Sequence, residues 1–412
     1  MVNLTNSQSK FFDLYSNTNE NILLLGLPGT GKSFCVSLLK KSKDYEKGNI
    51  SLTSSTGTSA LNIGGSTLHS WAGVGIADGT VQQIVKRVNQ NKDARKRIQS
   101  CKTLIIDEGS MISGEFFDKF ISVISHLRFK LPRIILICDL FQLPPVFKTD
   151  STYVFESEWF KKLNFKKVDL KEVVRQSDKT FIDALSKIRV GDTSDLSLFE
   201  SRVSNKIPDN TLVVFCKNVD IDRYNTTKLQ EIQSKSKIFR SNDVGSAYQL
   251  ESLDRSCPAP HKLELKVGAQ VMLLKNLNVD AGLVNGTIGK VKDLTRKGPV
   301  VTFGKANIEV LPEKWEIIED KINDSGKVVR KTVAYREQIP LKLAWASTVH
   351  KTQGITCDSI YLDLAGCWAS GQAYTALSRV RTIDGLTLSS IDKSMIKVDE
   401  RIINFYKEIN NV

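Results

Sequence analysis

A chain of 412 residues is too long for one ordinary core, and its 41% apolar and 25% charged residues are those of a globular protein rather than a disordered one. No stretch reaches the roughly 18 uninterrupted apolar residues of a membrane-spanning helix. The seven cysteines stand singly beside only four histidines, which argues against a zinc site and for a reducing compartment, and the net charge of +13 favours a polyanionic partner without saying which.

Met1 to Asn6 shows neither a basic start with an apolar run nor an amphipathic presequence, so the expectation is a soluble intracellular protein of cytoplasm or nucleus with no targeting segment. Asn21 to Leu25 is a short apolar run ended by Gly26 and reads as a buried strand, with a helix predicted over Ser33 to Lys43. Similar runs follow at Ile50 to Thr53, Thr103 to Ile106 and Ile134 to Cys138, separated by helical or mixed segments such as Gly114 to Phe129. This is the pattern of a buried parallel sheet and makes residues 1–172 one α/β domain. Within it, residues of about 75–100 form a polar helical insertion crowded with Lys86, Arg87, Lys92, Arg95, Lys96 and Arg97, either a solvated face or a DNA-facing one.

The second domain, 173–412, begins with the strand Leu212 to Phe215 and the helix-like Asp220 to Ser234, resumes at Ile360 to Leu362 and ends on a helix near Ile402 to Ile409. Between them, at about 260–335, alternating apolar residues flank turn signals such as Asn285-Gly286 and Gly298-Pro299, which predicts a small β-barrel insertion. No internal repeat or low-complexity segment occurs.

Gly26-Leu27-Pro28-Gly29-Thr30-Gly31-Lys32-Ser33 is a P-loop pattern placed between a buried strand and a helix. Its glycines let backbone N–H groups surround phosphates, Lys32 supplies a point charge, and the Ser33 hydroxyl is a magnesium ligand. A P-loop needs an acidic partner, and Leu104 to Glu108 supplies two at a strand end: Asp107 for the metal and Glu108 as the base that activates water. These features imply ATP and Mg2+ as cofactors, but kinases, GTPases and switch proteins share them.

Further blocks resemble the Pif-type 5′→3′ DNA helicases of superfamily one, related to RecD-like motors. Leu4 to Gln8 is similar to the adenine-reading motif of that family. Thr53 to Gly65, continued by His69 to Gly73, resembles its first strand-contacting motif, and Asp139 to Val146 resembles the block whose Gln142 senses the γ-phosphate. Val174-Arg175-Gln176, Ala344 to Gly354 and Ala373 to Arg381 resemble the fourth, fifth and sixth motifs. The resemblance implies two RecA-like domains with ATP between them, Arg175 and Arg379 as arginine fingers, and Gln8, Gly29, Thr30, Gly31, Lys32, Ser33 and Gly354 on the nucleotide. Physically, guanidinium groups stabilise a transition state that spreads negative charge, and placing them on a second domain makes closure depend on ATP.

The same resemblance implies single-stranded and forked duplex DNA as partners, a monomer, and work in replication, repair or recombination, with proteins of those pathways as further partners. Single strands are held by basic grooves and stacking platforms, which singles out Thr56, Thr58, His69, Trp71, Phe141, Thr348 and His350, with core packing as the alternative for Trp71 and Phe141. The β insertion resembles the small barrel of that family, which makes Lys266, Lys275, Lys290 and Lys292 candidate phosphate contacts, although a solvated face is the favoured reading of each lysine taken singly.

The chain departs from the family pattern at Gly109, where an aliphatic residue is usual, at Cys138, where glycine is usual, and over Phe117 to Arg133, which lacks the paired Arg and Gly-Gly of the signature segment. None of these removes a group needed for ATP chemistry. Two other functions remain open on the residues alone: an RNA-directed remodelling ATPase with little unwinding, and a P-loop switch that does no work.

Overall fold

The computed structural model describes residues 3–145, 151–174, 178–208, 211–278, 281, 283, 285–322, 328–353 and 357–410. Strands β1 (Ile22–Gly26), β2 (Ile50–Ser54), β3 (Ser66–Thr67), β4 (Thr103–Asp107), β5 (Arg133–Cys138) and β6 (Lys166–Leu170) pair in the order β3-β2-β4-β5-β1-β6. Every pairing is parallel. Side chains alternate along a strand. Ile22, Leu24, Ile105, Ile135 and Ile137 therefore pack on one face with Phe11, Val36 and Leu39, while Leu23, Leu25, Leu104, Ile106, Leu136 and Cys138 pack on the other with Phe117, Phe120 and Ile124. A sheet covered on both faces needs unbroken apolar runs, which is why β1, β2, β4 and β5 are legible in the sequence, whereas the polar edge strands β3 and β6 are not.

Helix α1 (Asn6–Asn17) starts in a capping box in which Thr5 and Gln8 satisfy each other's backbone N–H groups, and α2 (Lys32–Lys40) follows the P-loop. The polar stretch expected at 75–100 forms two helices, Val81–Gln90 and Lys92–Ser100. They bury Ile84, Val88, Ala94 and Ile98 and expose Lys86, Lys92, Arg95 and Lys96. Arg87 and Arg97 are structural: Arg87 donates to the Val74 carbonyl and pairs with Asp78, and Arg97 donates to the carbonyls of Trp71 and Ser70.

A second parallel sheet sets β7 (Leu212–Phe215) beside Ile360–Asp363, and that strand beside Leu386–Leu388. The chain separates into two compact units, Met1–Lys217 with Thr348–Val412, which holds both parallel sheets, and Asn218–Ser347. No helix among the described residues is long and apolar enough to cross a membrane.

Among the described residues the strands of the unit Asn218–Ser347 pair antiparallel in its three sheets. Five strands run in the order Ala306–Glu309, Pro299–Phe303, Ile288–Leu294, Gln270–Leu273, Leu341–Leu343, and the pair Ser236–Arg240 with Lys262–Lys266 contributes Leu263 and Leu265 to the same core of Val271, Leu273, Val291, Val301 and Leu341. The sheets thus begin before residue 260 and continue past 335, and a long hairpin of Glu313–Ile322 with Val328–Gln338 forms a third sheet with Asn242–Val244. Arg336 on this hairpin is only 2% exposed. Its Nη2 donates to Asp243 at 2.7 Å and Asp254 at 2.6 Å, and its Nη1 to the Ala259 carbonyl at 3.2 Å.

Removing the buried guanidinium leaves the mostly buried Asp243 with His261 in place of its bidentate partner, beside a half-exposed Asp254. Arg336→Met is therefore expected to destabilise this unit by about 3 kcal/mol, read as a shift in urea midpoint at unchanged slope. A shift below about 0.5 kcal/mol would mean the cluster is solvated enough to be neutral.

Candidate nucleotide and strand sites

The carboxyl ends of β1, β4 and β5 lie side by side and deliver the P-loop, the Asp107-Glu108 pair and Asp139 to one edge of the sheet, where open α/β sheets bind ligands. The P-loop turn uses left-handed glycines, Gly29 at φ 84° and Gly31 at φ 90°. A Cβ on Gly31 would run into the Gln8 amide, so the loop and the N-terminal helix are fitted to each other. Gln8 is buried, donates from Nε2 to the Thr30 carbonyl at 3.1 Å, and accepts the Thr5 N–H on its other atom.

A cavity of about 350 Å³ opens here, lined by Gln8, Gly29, Gly31, Lys32, Ser33, Glu108, Gln142 and Arg379, together with Asn3, Thr5, Pro28, Phe34 and Val174. Lys32 Nζ donates to the carbonyls of Gly26 at 2.6 Å and Leu27 at 2.9 Å. Burial pulls its pKa down, opposed by the carboxylates of Asp139, Glu108 and Asp107. The Asp107 carboxyl is pushed up to about 7, first by burial and then by the neighbouring Glu108 charge. A buried hard-oxygen group so disfavoured as an anion, with the Ser33 hydroxyl on the same P-loop edge, suits a magnesium ion and offers nothing to a soft metal. Glu108 holds a left-handed backbone at φ 52°, ψ 42°, which lifts it off the strand line, and its N–H donates to Asp107 Oδ1 at 2.9 Å.

The second sheet supplies the opposite wall. Arg379 follows the helix Gln372–Leu377 and is 4% exposed. Its Nε donates to the Thr375 carbonyl at 2.8 Å, and its Nη2 to Ser378 Oγ at 2.7 Å and Gln142 Oε1 at 3.4 Å. Gln142 in turn donates to Asp139 Oδ2 at 3.1 Å. The buried Asp139 also accepts the Tyr374 hydroxyl at 3.0 Å and pairs with Arg189 at 3.3 Å. For Arg189 the burial that lowers its pKa is outweighed by Asp139, so the group stays firmly charged. Gly371, at φ 72°, lies so close to the backbone of Phe141 and Gln142 that a Cβ would meet their carbonyl oxygens.

Of the residues singled out from sequence for the nucleotide, the cavity thus gathers Gln8, Gly29, Gly31, Lys32, Ser33, Glu108, Gln142 and Arg379, with Thr30 and Asp107 buried in the same edge. Arg175 and Gly354 lie outside the described residues. Arg189, Tyr374 and Gln353 were not singled out. Arg189 ends an ordinary amphipathic helix, Lys179–Arg189, and nothing in the linear pattern marks it.

Among the strand candidates, His69 stacks on Phe116 with ring centroids 4.1 Å apart and lines a second cavity of about 500 Å³ with Ser55, Ile76 and Pro145. Burial lowers the pKa of both His69 and His350, so each is a neutral ring at neutral pH and suited to stacking or hydrogen bonding more than to ionic contact. Thr348 caps the short helix Val349–Thr352, and Thr56 accepts the Ser59 N–H at 3.2 Å; of Thr58 only the backbone, in the helix Gly57–Asn62, is described.

Trp71 and Phe141 belong to the core instead of presenting a ring face. Trp71 is 3% exposed beside Phe120, and Phe141 is 4% exposed, packed against Tyr406 with the Arg189 guanidinium 4.3 Å from its ring centre. Of the four lysines in the β insertion, Lys266 is tied to the Ile232 carbonyl and Lys275 to the Lys314 carbonyl, whereas Lys290 and Lys292 are exposed.

A parallel sheet that presents a P-loop, an acidic pair and a buried Gln, faced by an arginine from a second parallel sheet, defines a P-loop fold of the RecA-like class. The family model for PIF1-like helicases matches residues 3–197, and that for the 2B domain of DNA helicase Pif1 matches residues 249–294. The ATP-dependent DNA helicase Pif1 of Bdellovibrio bacteriovorus is 32% identical over 421 residues, covering 100% of this chain and 93% of that protein. The ATP-dependent DNA helicase PIF1 of Danio rerio is 35% identical over 408 residues, 95% of this chain and 62% of the relative, so the chain spans about three fifths of that protein's length. A crystal structure of a Bacteroides Pif1 helicase in complex with ADP-AlF3 and single-stranded DNA superposes with a TM-score of 0.84 at 28% identity, covering 100% of this chain and 98% of the other. The chain belongs to the PIF1-like helicase family.

Proposed function

We propose that this chain is an ATP-dependent DNA helicase that moves 5′→3′ along single-stranded DNA and separates the duplex ahead of it, working as a monomer in replication, repair or recombination. The observation that carries the reading is the contact of Arg379, from the second parallel sheet, with Gln142 at the edge of the first, beside the P-loop. An arginine placed there makes hydrolysis depend on how the two sheets sit about the nucleotide, which is what a motor needs and a simple switch does not. The reading keeps one parallel sheet in each of two proposed domains, 1–172 and 173–412, and the relative solved with both ADP-AlF3 and single-stranded DNA supports pairing the two ligands on one chain.

In this reading the P-loop amides and Lys32 hold the β and γ phosphates, and Gln8 supports adenine recognition from behind Thr30. Ser33 and Asp107 would hold magnesium, which neutralises phosphate charge when bound. Glu108 accepts a proton from water as the water oxygen attacks the γ-phosphorus, and the bond to the β-phosphate oxygen breaks with ADP leaving. Arg379, and Arg175 with it, neutralises the charge that spreads over the transferred group. His69, His350, Thr56, Thr58 and Thr348 contact the strand.

The test is ATP hydrolysis with and without single-stranded DNA, with Lys32→Ala as blank, followed by forked duplexes carrying only a 5′ or only a 3′ tail. Strong stimulation with unwinding from the 5′ tail alone is expected. Equal stimulation by RNA with no unwinding would favour a remodelling ATPase, and hydrolysis indifferent to polynucleotide would favour a switch.

A further inference from the structure

Gln353 closes the short helix Val349–Thr352 and is 2% exposed. Its Nε2 donates to Glu108 Oε2 at 2.9 Å, across 245 residues of sequence. Its Oε1, on the same amide, is buried and has no hydrogen-bond partner among the described residues. A buried acceptor left without a partner costs about 1–3 kcal/mol and calls for an explanation in function.

The helix that Gln353 ends begins at Thr348, whose hydroxyl caps it, and carries His350, both proposed strand contacts. One turn of helix therefore separates the strand-contacting groups from the amide that touches the hydrolytic base.

We infer that Gln353 is a positioning residue that couples strand occupancy at Thr348 and His350 to the orientation of Glu108. The amide N–H fixes one carboxylate oxygen of Glu108 and leaves the other for the attacking water. Among the described residues that bond is the side chain's one polar tie, its Oε1 being buried without a partner, so the amide can be re-aimed without breaking a second contact. When the strand shifts the Thr348–Thr352 turn, the amide moves with it, and the base swings into or out of line. This inference rests on the helicase reading above, because it needs a strand on that turn.

The experiment compares the wild type with Gln353→Met, which keeps length and removes both hydrogen-bonding atoms, and Gln353→Glu, which keeps shape and replaces the donor with a like charge. Hydrolysis is measured at saturating ATP with and without oligothymidine, with KM for ATP, oligothymidine affinity by anisotropy, and thermal melting. Both variants are expected to lose at least about tenfold of the DNA-stimulated kcat, within the range a misplaced general base produces. KM and oligothymidine affinity are expected to stay within about twofold of wild type, because the amide touches neither nucleotide nor strand, and melting to stay unchanged for Gln353→Met, whereas Gln353→Glu buries a second carboxylate beside Glu108 and melts lower while still folded at the assay temperature.

A stimulated kcat within twofold of wild type in either folded variant overturns the inference, as does a loss of kcat that tracks lost DNA affinity or, in Gln353→Met, lost melting temperature. If Gln353→Met does not fold, Gln353→Glu decides by the same criteria. A wild type that oligothymidine fails to stimulate removes the motor reading and this inference together, whereas a stimulated wild type with equally stimulated variants removes only this inference.

Discussion

Glu108→Gln is expected to reduce DNA-stimulated ATP hydrolysis by about 10²–10⁴-fold while leaving nucleotide binding intact, the range for removing a positioned general base. The substitution keeps the shape of the side chain and its place on the left-handed turn, but an amide cannot take the water's proton. Contact with Gln353 is altered only in which oxygen or nitrogen it meets. The measurement is phosphate release at saturating ATP and oligothymidine, beside the affinity of a fluorescent nucleotide. A loss smaller than tenfold would move the base to another residue, and a parallel loss of nucleotide affinity would mean that Glu108 holds the metal or the phosphates instead.

Arg379→Ala is expected to cost about 10³-fold or more in kcat, since a guanidinium that neutralises the transferred phosphoryl group contributes on the order of 10³–10⁵. Arg379→Lys should not rescue it. The guanidinium reaches Thr375, Ser378 and Gln142 with separate N–H groups, a fork that a single ammonium on a flexible stem cannot reproduce. Because Arg379 is buried, the control is thermal melting: the arginine-finger role requires the rate to collapse while the fold persists. Arg379→Ala that retains a tenth or more of wild-type kcat would reduce this residue to a structural one and leave Arg175 as the candidate. The same variant should also abolish unwinding of a 5′-tailed fork.

Much of the site is legible in the chain because P-loop chemistry is local. Gly26 to Ser33 are consecutive, and their spacing alone sets amides, lysine and hydroxyl on one turn between a strand and a helix. Asp107-Glu108 is equally local, and so is the covered sheet, whose apolar runs follow from having two buried faces. The strand aromatics were not separable by pattern. Trp71 and Phe141 stand in strand-contacting blocks, and only packing shows that their rings are spent on Phe120, Tyr406 and Arg189.

The sequence by itself determined the proposed chemical groups of this protein, a P-loop, an acidic pair at a strand end and an arginine block, each recognisable because the residues proposed to act together are neighbours or sit at strand ends. Tertiary structure alone decided which distant side chains hold those groups in place. Gln353 meets Glu108, Tyr374 and Arg189 meet Asp139, and Arg379 meets Gln142, each pair joined across tens to hundreds of residues. A hydrogen bond between such positions leaves no periodicity in the chain, because it depends on the order in which strands assemble and on which edges face each other, not on the residues between them.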